Sequence, residues 1–381
     1  MARKNEESPA SGHGGKATGT LKAVREKIDR LDQQILKLIN ERASHAAEIG
    51  KLKNENGTEI FSPVREEEVL KHVLDQHHSQ GGQLEPSAVR AIFREIMSGS
   101  RALQKVLKVA YLGPEFSFSH LAAIDKFGQS VELVAVGSIP TVFEEVHRGH
   151  VDFGVVPVEN STDGRIADTL DMFLQMPQMI ISSEVRLQVH HHLMAQCDQQ
   201  DIRRVYSKPQ ALSQCRTWLS KNVPHAKQVE VSSTATAAEL AQREPGAAAV
   251  ASRQAASRYG LRLLFSDIED YPDNETRFAV IGRHKCSKGS HDKTSLVFRI
   301  AHAPGALVEA LDLFRQSKIN LTWIESFPAR AGRAEKPEYL FFVDIEGHQE
   351  DPKVAKVIKA LSATCRDLRV LGSYPVAPMP H

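Results

Sequence analysis

Two cations interrupt a long apolar stripe near the start of the chain. From Leu21 to Lys53 the residues Val24, Ile28, Leu31, Ile35, Leu38, Ile39, Ala46, Ile49 and Leu52 recur at helical spacing. At about 100° per residue, Arg42 and Lys53 fall near the middle of that stripe. They are eleven residues apart, about three turns, so they project the same way. Two cations on a buried face are costly unless an anion meets them. Long basic side chains can instead snorkel to the surface or pair with glutamate. The sharper expectation is a pocket for a small polyanion. A helix of ~33 residues is ~50 Å long, whereas a compact domain of ~90 residues has a radius of gyration of only ~12 Å. The helix overshoots its own domain, and its stripe needs a partner chain. The expectation is an intertwined helical dimer.

The rest of the composition narrows the function classes. The chain has 381 residues and a formal net charge of +1. That length allows two or three domains, and the charge argues against a general nucleic-acid binder. Cys197, Cys215, Cys286 and Cys365 lie far apart, with neither a disulfide framework nor a zinc signature. No apolar run reaches the ~18 residues of a membrane span, and no signal peptide is visible, so a cytoplasmic protein is expected. His190-His191-His192 could suggest a metal site. With no carboxylate or cysteine at ligand spacing, a strand with one buried face is the better reading, and no metal is expected.

Four segments follow one another. Residues 1–18 read as a disordered tail. Residues 19–106 are helical, broken at Asn56-Gly57, Ser62-Pro63 and Gly81-Gly82, with a second helix over ~64–78 and a third opening at Pro86. Residues 107–285 alternate strands and helices, which is α/β grammar. The strands Val106–Leu112, Asp152–Val158, Arg204–Ser207 and Gln228–Val231 each end in polar residues. Ligands in such folds gather outside the carboxyl ends of strands, so these junctions point to a shared anion pocket, although serines and threonines there often only cap helices. Residues 293–376 read strand, helix, strand, strand, helix, strand, a ferredoxin-like βαββαβ sandwich. Gly305, in Ala303-Pro304-Gly305-Ala306-Leu307, permits close backbone approach.

Residues 19–376 resemble the bifunctional chorismate mutase–prephenate dehydratases of phenylalanine biosynthesis. The first segment is similar to all-helical chorismate mutases, whose functional positions fall on Arg25, Arg42, Lys53, Arg65-Glu66, Ser100 and Gln104. Ser62 stands where that family often has Asp. The middle segment carries five ordered motifs: Tyr111 to His120, Gly154 to Ser161, Tyr206 to Gln210, Ser233-Thr234-Ala235 and Thr276-Arg277-Phe278. Phe116 replaces a usual Gly, and Lys208 stands where His is common. The last segment resembles the ACT regulatory module, with Gly305-Ala306-Leu307-Val308 and Glu325-Ser326-Phe327-Pro328, where Phe327 replaces a usual Arg. The implied fold is an intertwined all-α mutase domain, a two-lobed α/β dehydratase domain like periplasmic binding proteins, and an ACT domain.

The resemblance implies chorismate and prephenate as substrates, L-phenylalanine as effector, and no cofactor. Lys53 and Gln104 would face the ether oxygen, where charge grows as the C–O bond breaks, and fixed donors there are the main lever. Arg25, Arg42 and Arg65 would clamp the carboxylates, while Glu66 and Ser100 hold the ring's polar groups. Arg25 precedes Arg42 by seventeen residues, ~100° around the helix, so it is expected to reach the partner subunit's site. In the dehydratase, Thr276 would donate to the departing hydroxyl. Ser117, Asn160, Ser161, Ser207, Gln210, Thr234 and Phe278 would surround the substrate. Arg277 would grip the pyruvyl carboxylate or serve as a structural ion pair. Glu159 would orient Thr276 or be a solvated helix-start acid. Phenylalanine would bind near Gly305–Val308 and Glu325–Ser326. Two alternatives stand beside this reading: a preference for arogenate, and a non-catalytic small-molecule receptor, against which the buried cations count.

Overall fold

The computed structural model describes residues 14–162, 164–328 and 339–378, with only the backbone for 14–20. Three helices come first: α1 (Gly14–Glu55), α2 (Pro63–Ser79) and α3 (Pro86–Ala102). Ser62 caps α2 by accepting the Arg65 N–H at 3.4 Å, and a proline opens each of α2 and α3. Of the expected tail, residues 1–13 lie outside the described residues, and residues 14–18 belong to α1. Leu21, Val24, Ile28, Leu31 and Ile35 stand between 47% and 55% exposed along α1. Among the described residues of one chain nothing covers this stripe.

The first lobe follows: β1 (Lys108–Leu112), α4 (Phe118–Phe127), β2 (Glu132–Val136), α5 (Ile139–Arg148), β3 (Phe153–Asn160), β4 (Gly164–Arg165), α6 (Ala167–Gln175) and β5 (Ile180–Gln188). The chain then builds a second lobe from β6 (His192–Ala195), β7 (Arg204–Ser207), α7 (Pro209–Gln214), α8 (Arg216–Asn222), β8 (Lys227–Glu230), α9 (Thr234–Arg243), β9 (Ala247–Ala251), α10 (Arg253–Tyr259) and β10 (Arg262–Phe265). Its sheet order is β10-β6-β9-β7-β8. The next strand, β11 (Glu275–Gly282), returns to the first lobe and runs antiparallel between β3 and β5. The chain therefore passes between the lobes twice, and a cleft opens along the crossing. Two expectations change here. His190 and His191 precede β6 rather than forming a strand, and Glu159-Asn160 lie inside β3 rather than after it.

The last segment is β12 (Asp292–Ile300), α11 (Ala306–Gln316), β13 (Leu321–Pro328), β14 (Tyr339–Glu346), α12 (Pro352–Thr364) and β15 (Asp367–Pro375). Its antiparallel order, β13-β14-β12-β15, is that of the ferredoxin-like sandwich. One face buries Phe298 and Phe341 beneath its own helices, against Leu361 of α12. The other packs Val297, Leu340 and Phe342 into one core with Val158, Phe173 and Ile181 of the first lobe. The helical segment also docks on that lobe. Phe61 lies 4.9 Å from the Phe127 ring and 5.1 Å from that of Phe153, and Arg94 pairs with Asp125 at 2.8 Å.

Candidate active sites

In the helical segment, five expected residues converge where α1 crosses α2 and α3. Arg42 Nη1 donates to Ser100 Oγ at 2.9 Å. Lys53 Nζ donates to the carbonyls of Glu59 and Ile60 at 3.0 and 2.9 Å, which holds the ammonium against the loop before α2. Gly50 is buried on the same face, because a Cβ there would lie 2.5 Å from Cγ of Gln104. The Gln104 Oε1 is buried and has no hydrogen-bond partner among the described residues. Burial lowers the pKa of Arg42, helped by the Arg65 charge, and burial likewise lowers that of Lys53. Glu66 partly offsets both shifts, so its carboxylate shares their field. Burial raises the Glu66 pKa, although a close ion pair with Arg101 works against this. Arg101 also donates to the Phe127 carbonyl, tying this site to the first lobe. The result is a cationic cluster, which suits a dianion.

Two expected residues stand apart. Arg65 is 71% exposed and pairs with Glu68 at 3.1 Å. Arg25 is exposed, about 25 Å along α1 from Arg42, and so is not part of this cluster within one chain.

In the lobes, the expected residues split between the two faces of β3 and β11. Thr276 is opposite Asn160 in register, and Asn160 Nδ2 donates to Thr276 Oγ1 at 2.8 Å and to Asn274 Oδ1 at 3.0 Å. Asn274 Nδ2 in turn donates to Gln214 Oε1 at 2.9 Å, and Gln214 Oε1 lies 2.8 Å from His191 Nε2. This amide chain runs from the first lobe to α7 of the second, across the crossing point. Ser161 fixes the adjacent turn, accepting the Glu275 N–H at 2.9 Å. Ser117 caps α4 by accepting the His120 N–H at 3.3 Å. Thr234 opens α9 and is buried.

Phe116 belongs to the loop before α4 but packs against the second lobe's core. Its φ is +64°, a region that favours glycine. Its N–H donates to His120 Nδ1 at 3.0 Å, and its carbonyl accepts from Ser252 Oγ at 3.4 Å. Burial lowers the His120 pKa, which favours the neutral ring that can accept that bond. A cavity of about 920 Å³ lies beside this contact, lined by Phe116, Phe118, His120, His192, Arg253 and Asp267.

Several expectations are corrected. Successive side chains on a strand point to opposite faces, so Arg277 turns away from Thr276. It is buried among Glu159, Glu184 and Asp344, with its guanidinium 4.3 Å from the Trp323 ring, which is the structural alternative. Glu159 is therefore neither a helix-start acid nor an orienter of Thr276: it pairs with Arg277 at 3.4 Å. Phe278 is 1% exposed in the first lobe's core. Ser207 is fully buried and donates to the Val250 carbonyl at 2.6 Å, which makes it a strand tie. Gln210 is exposed, whereas Gln214, one turn further along α7, joins the amide chain. His190 does meet carboxylates, which spacing alone did not show. Its Nδ1 lies 2.7 Å from Glu269 and 3.6 Å from Asp267. Glu269 also accepts the His191 N–H at 2.9 Å, a latch between the segments on either side of the second lobe.

In the βαββαβ module, Gly305 adopts φ +83° at the start of α11, as its turn requires. Beside it a hollow of about 170 Å³ is lined by His302, Gly305, Leu307, Val308, Tyr339 and Phe341. Ser326 pairs in register with Phe341 and so lies on that side of the sheet. Glu325 lies on the other side, committed to Arg165 at 3.1 Å, and Arg165 stacks 4.4 Å over Phe327.

Both segments match known families. The type II chorismate mutase profile matches residues 24–105, and the prephenate dehydratase profile matches residues 109–286. The bifunctional chorismate mutase/prephenate dehydratase of Aquifex aeolicus is 43% identical over 359 residues, covering 94% of this chain and 98% of that protein. The chain belongs to the bifunctional chorismate mutase/prephenate dehydratase family. Another member, from Pseudomonas aeruginosa, is also 43% identical, over 364 residues, with the same coverage of both chains. A prephenate dehydratase from Arthrobacter aurescens, solved in complex with L-Phe, superposes with a TM-score of 0.65 at 32% identity, covering 71% of this chain and 90% of that one. The two profiles meet between Lys105 and Val109, where α3 hands over to β1. In this bifunctional chorismate mutase/prephenate dehydratase chain, motif reading missed Arg101, Gln214, Asn274 and His191. Arg101 follows Ser100 directly, and Gln214 lies within the same helix as the Tyr206–Gln210 motif. The signal available for both was proximity to a motif already found.

Proposed function

We propose that this chain carries out two consecutive reactions of phenylalanine biosynthesis. It rearranges chorismate to prephenate in the helical segment, then converts prephenate to phenylpyruvate between the lobes, under feedback by phenylalanine. The observation that carries this is the pairing of a cationic side-chain cluster in residues 24–105 with a cleft-spanning amide chain in residues 109–286, each within its own family match. In the first reaction no bond to the enzyme forms. Arg42 grips a carboxylate, and Lys53 and Gln104 receive the charge that grows on the ether oxygen. In the second, the electrons of the ring–carboxylate bond enter the ring as CO2 leaves, and the ring hydroxyl departs with one proton as water. Thr276 hydrogen-bonds the departing oxygen. Its hydroxyl is too weak an acid to supply the proton outright, so it orients and stabilises. Asn160 holds Thr276 from behind. Neither step calls for a metal or cofactor.

The active protein is a homodimer or larger homo-oligomer, in which the exposed stripe of α1 meets a second copy and Arg25 completes the partner's mutase site. The ferredoxin-like module acts as an ACT domain, binding phenylalanine in the hollow beside Gly305 and Ser326. The protein works in the cytoplasm. Among the described residues no helix is long and apolar enough to cross a membrane.

One coupled assay on purified protein tests this reading. Chorismate should disappear and phenylpyruvate appear, both slowed by phenylalanine. Phenylalanine formed from arogenate at a higher rate would shift the assignment of the second site. Mixing Arg25→Ala and Lys53→Ala chains should restore mutase activity in hybrid dimers, and no recovery would remove Arg25 from the shared site.

A further inference from the structure

The regulatory sheet meets the dehydratase lobe through a buried charge cluster that neither reaction uses. Arg277 on β11, Glu184 on β5 and Glu159 on β3 come from the lobe. Lys293 and Ser295 on β12 and Asp344 on β14 come from the regulatory module. Asp344 is central: it forms a close ion pair with Arg277, receives Lys293 Nζ at 3.2 Å, and accepts from Ser295 Oγ at 2.5 Å. Lys293 also pairs closely with Glu184. The Asp344 and Glu184 side chains are 2% and 4% exposed.

Buried ion pairs rarely stabilise a protein more than well-packed apolar side chains would, though they can fix one geometry. The register shows what is fixed here. Thr276 lies opposite Asn160, and Arg277 lies opposite Glu159. Each member of the catalytic pair thus has a member of the cluster as its immediate neighbour, turned to the other face. Directly after Arg277 the β3–β11 ladder slips register, so regular pairing is interrupted where Thr276 must be held.

We propose that Asp344 is a positioning residue for the dehydratase. By holding Arg277 it sets β11 at the height where Thr276 Oγ1 stays 2.8 Å from Asn160 Nδ2. A displacement of the regulatory sheet would reach the leaving hydroxyl through this ion pair. The inference rests on the dehydratase reading above and deepens it.

Steady-state kinetics on the full chain test it. Asp344→Asn should lower dehydratase kcat about tenfold, with KM within about twofold and mutase turnover unchanged. In a Thr276→Ala background the same change should alter the residual kcat by less than about twofold, because the group being positioned is gone. A purely structural role would lower kcat by the same factor in both backgrounds, and that result overturns the proposal. Ser295→Ala keeps every charge and removes one hydrogen bond from Asp344, together with the Ser295–Tyr374 contact at 2.7 Å. It should lower kcat about threefold with Thr276 present and not with Ala there. If Asp344→Asn fails to fold, Ser295→Ala decides alone, and an unchanged kcat overturns the proposal. Wild-type protein that forms no phenylpyruvate would fail before any variant is made, and would overturn the dehydratase reading together with this inference.

Discussion

Leu21, Val24 and Ile28 stand about half exposed on α1, whereas Val109, Val142 and Val155 of the first lobe are fully buried. The lobes complete their cores within one chain. The leading helix does not, and its unfinished half carries Arg25. The half that is packed carries Arg42, Gly50 and Lys53, which α2 and α3 hold against Ser100 and Gln104. On the proposed reading the dehydratase site is complete within one polypeptide, while the mutase site takes Arg25 from a second copy. Mutase and dehydratase should accordingly respond to different insults, and four experiments probe that separation.

The largest effect is expected from Thr276→Ala. Loss of one donor aimed at a developing charge costs about 10²–10³ in turnover, so phenylpyruvate formation should fall by that factor while chorismate consumption is unchanged. Equal loss of both activities would erase the distinction between the regions. Next comes the exposed stripe. Leu31→Asp with Ile35→Asp places charges where a second chain is expected to pack, and should lower mutase activity about 100-fold and shift sedimentation to monomer. Dehydratase turnover should stay within about twofold. Both rates falling together would tie the second site to the dimer as well.

Gly50→Ala sharpens the comparison within the helical segment. Alanine favours a helix over glycine by about 1 kcal/mol, yet its Cβ would lie 2.5 Å from Cγ of Gln104. Mutase kcat should drop about tenfold with little loss in thermal stability if the displaced side chain faces the reacting oxygen as proposed. The smallest effect is in pH dependence. Lys53 must be a cation to serve the ether oxygen. Burial lowers its pKa in the folded chain, and the cation is lost as pH rises through that lowered value. The alkaline limb of mutase kcat should therefore fall below the ordinary lysine range, and Lys53→Arg should move it upward. A limb at the free-lysine value would mean that the ammonium is solvated.

Much of this architecture was legible in the residue pattern. Prolines marked the starts of α2 and α3, and alternation with helical spacing gave the order of the last module, whose strand Tyr339–Glu346 stands as expected. The cations of the stripe were legible because a charge within an apolar face needs a reason. The dehydratase residues were less so, since a motif is a string and a strand has two sides. Thr276-Arg277-Phe278 reads as one unit, but the strand sends Thr276 to Asn160, Arg277 to Asp344 and Phe278 into the core. Gln214 and the carboxylates around His190 became visible only when distant segments met, because Gln214 lies 60 residues before its partner Asn274.

Phe116 has a consequence for motion. A side chain other than glycine in the left-handed region sits uphill by about 1–2 kcal/mol, and here the opposing lobe grips both its ring and its carbonyl. If the lobes part, that grip is lost and the torsion can relax, so the contact would act as a cocked catch whose release favours an open cleft. Phe116→Gly should disarm the catch, leaving the closed form easier to reach but less firmly latched.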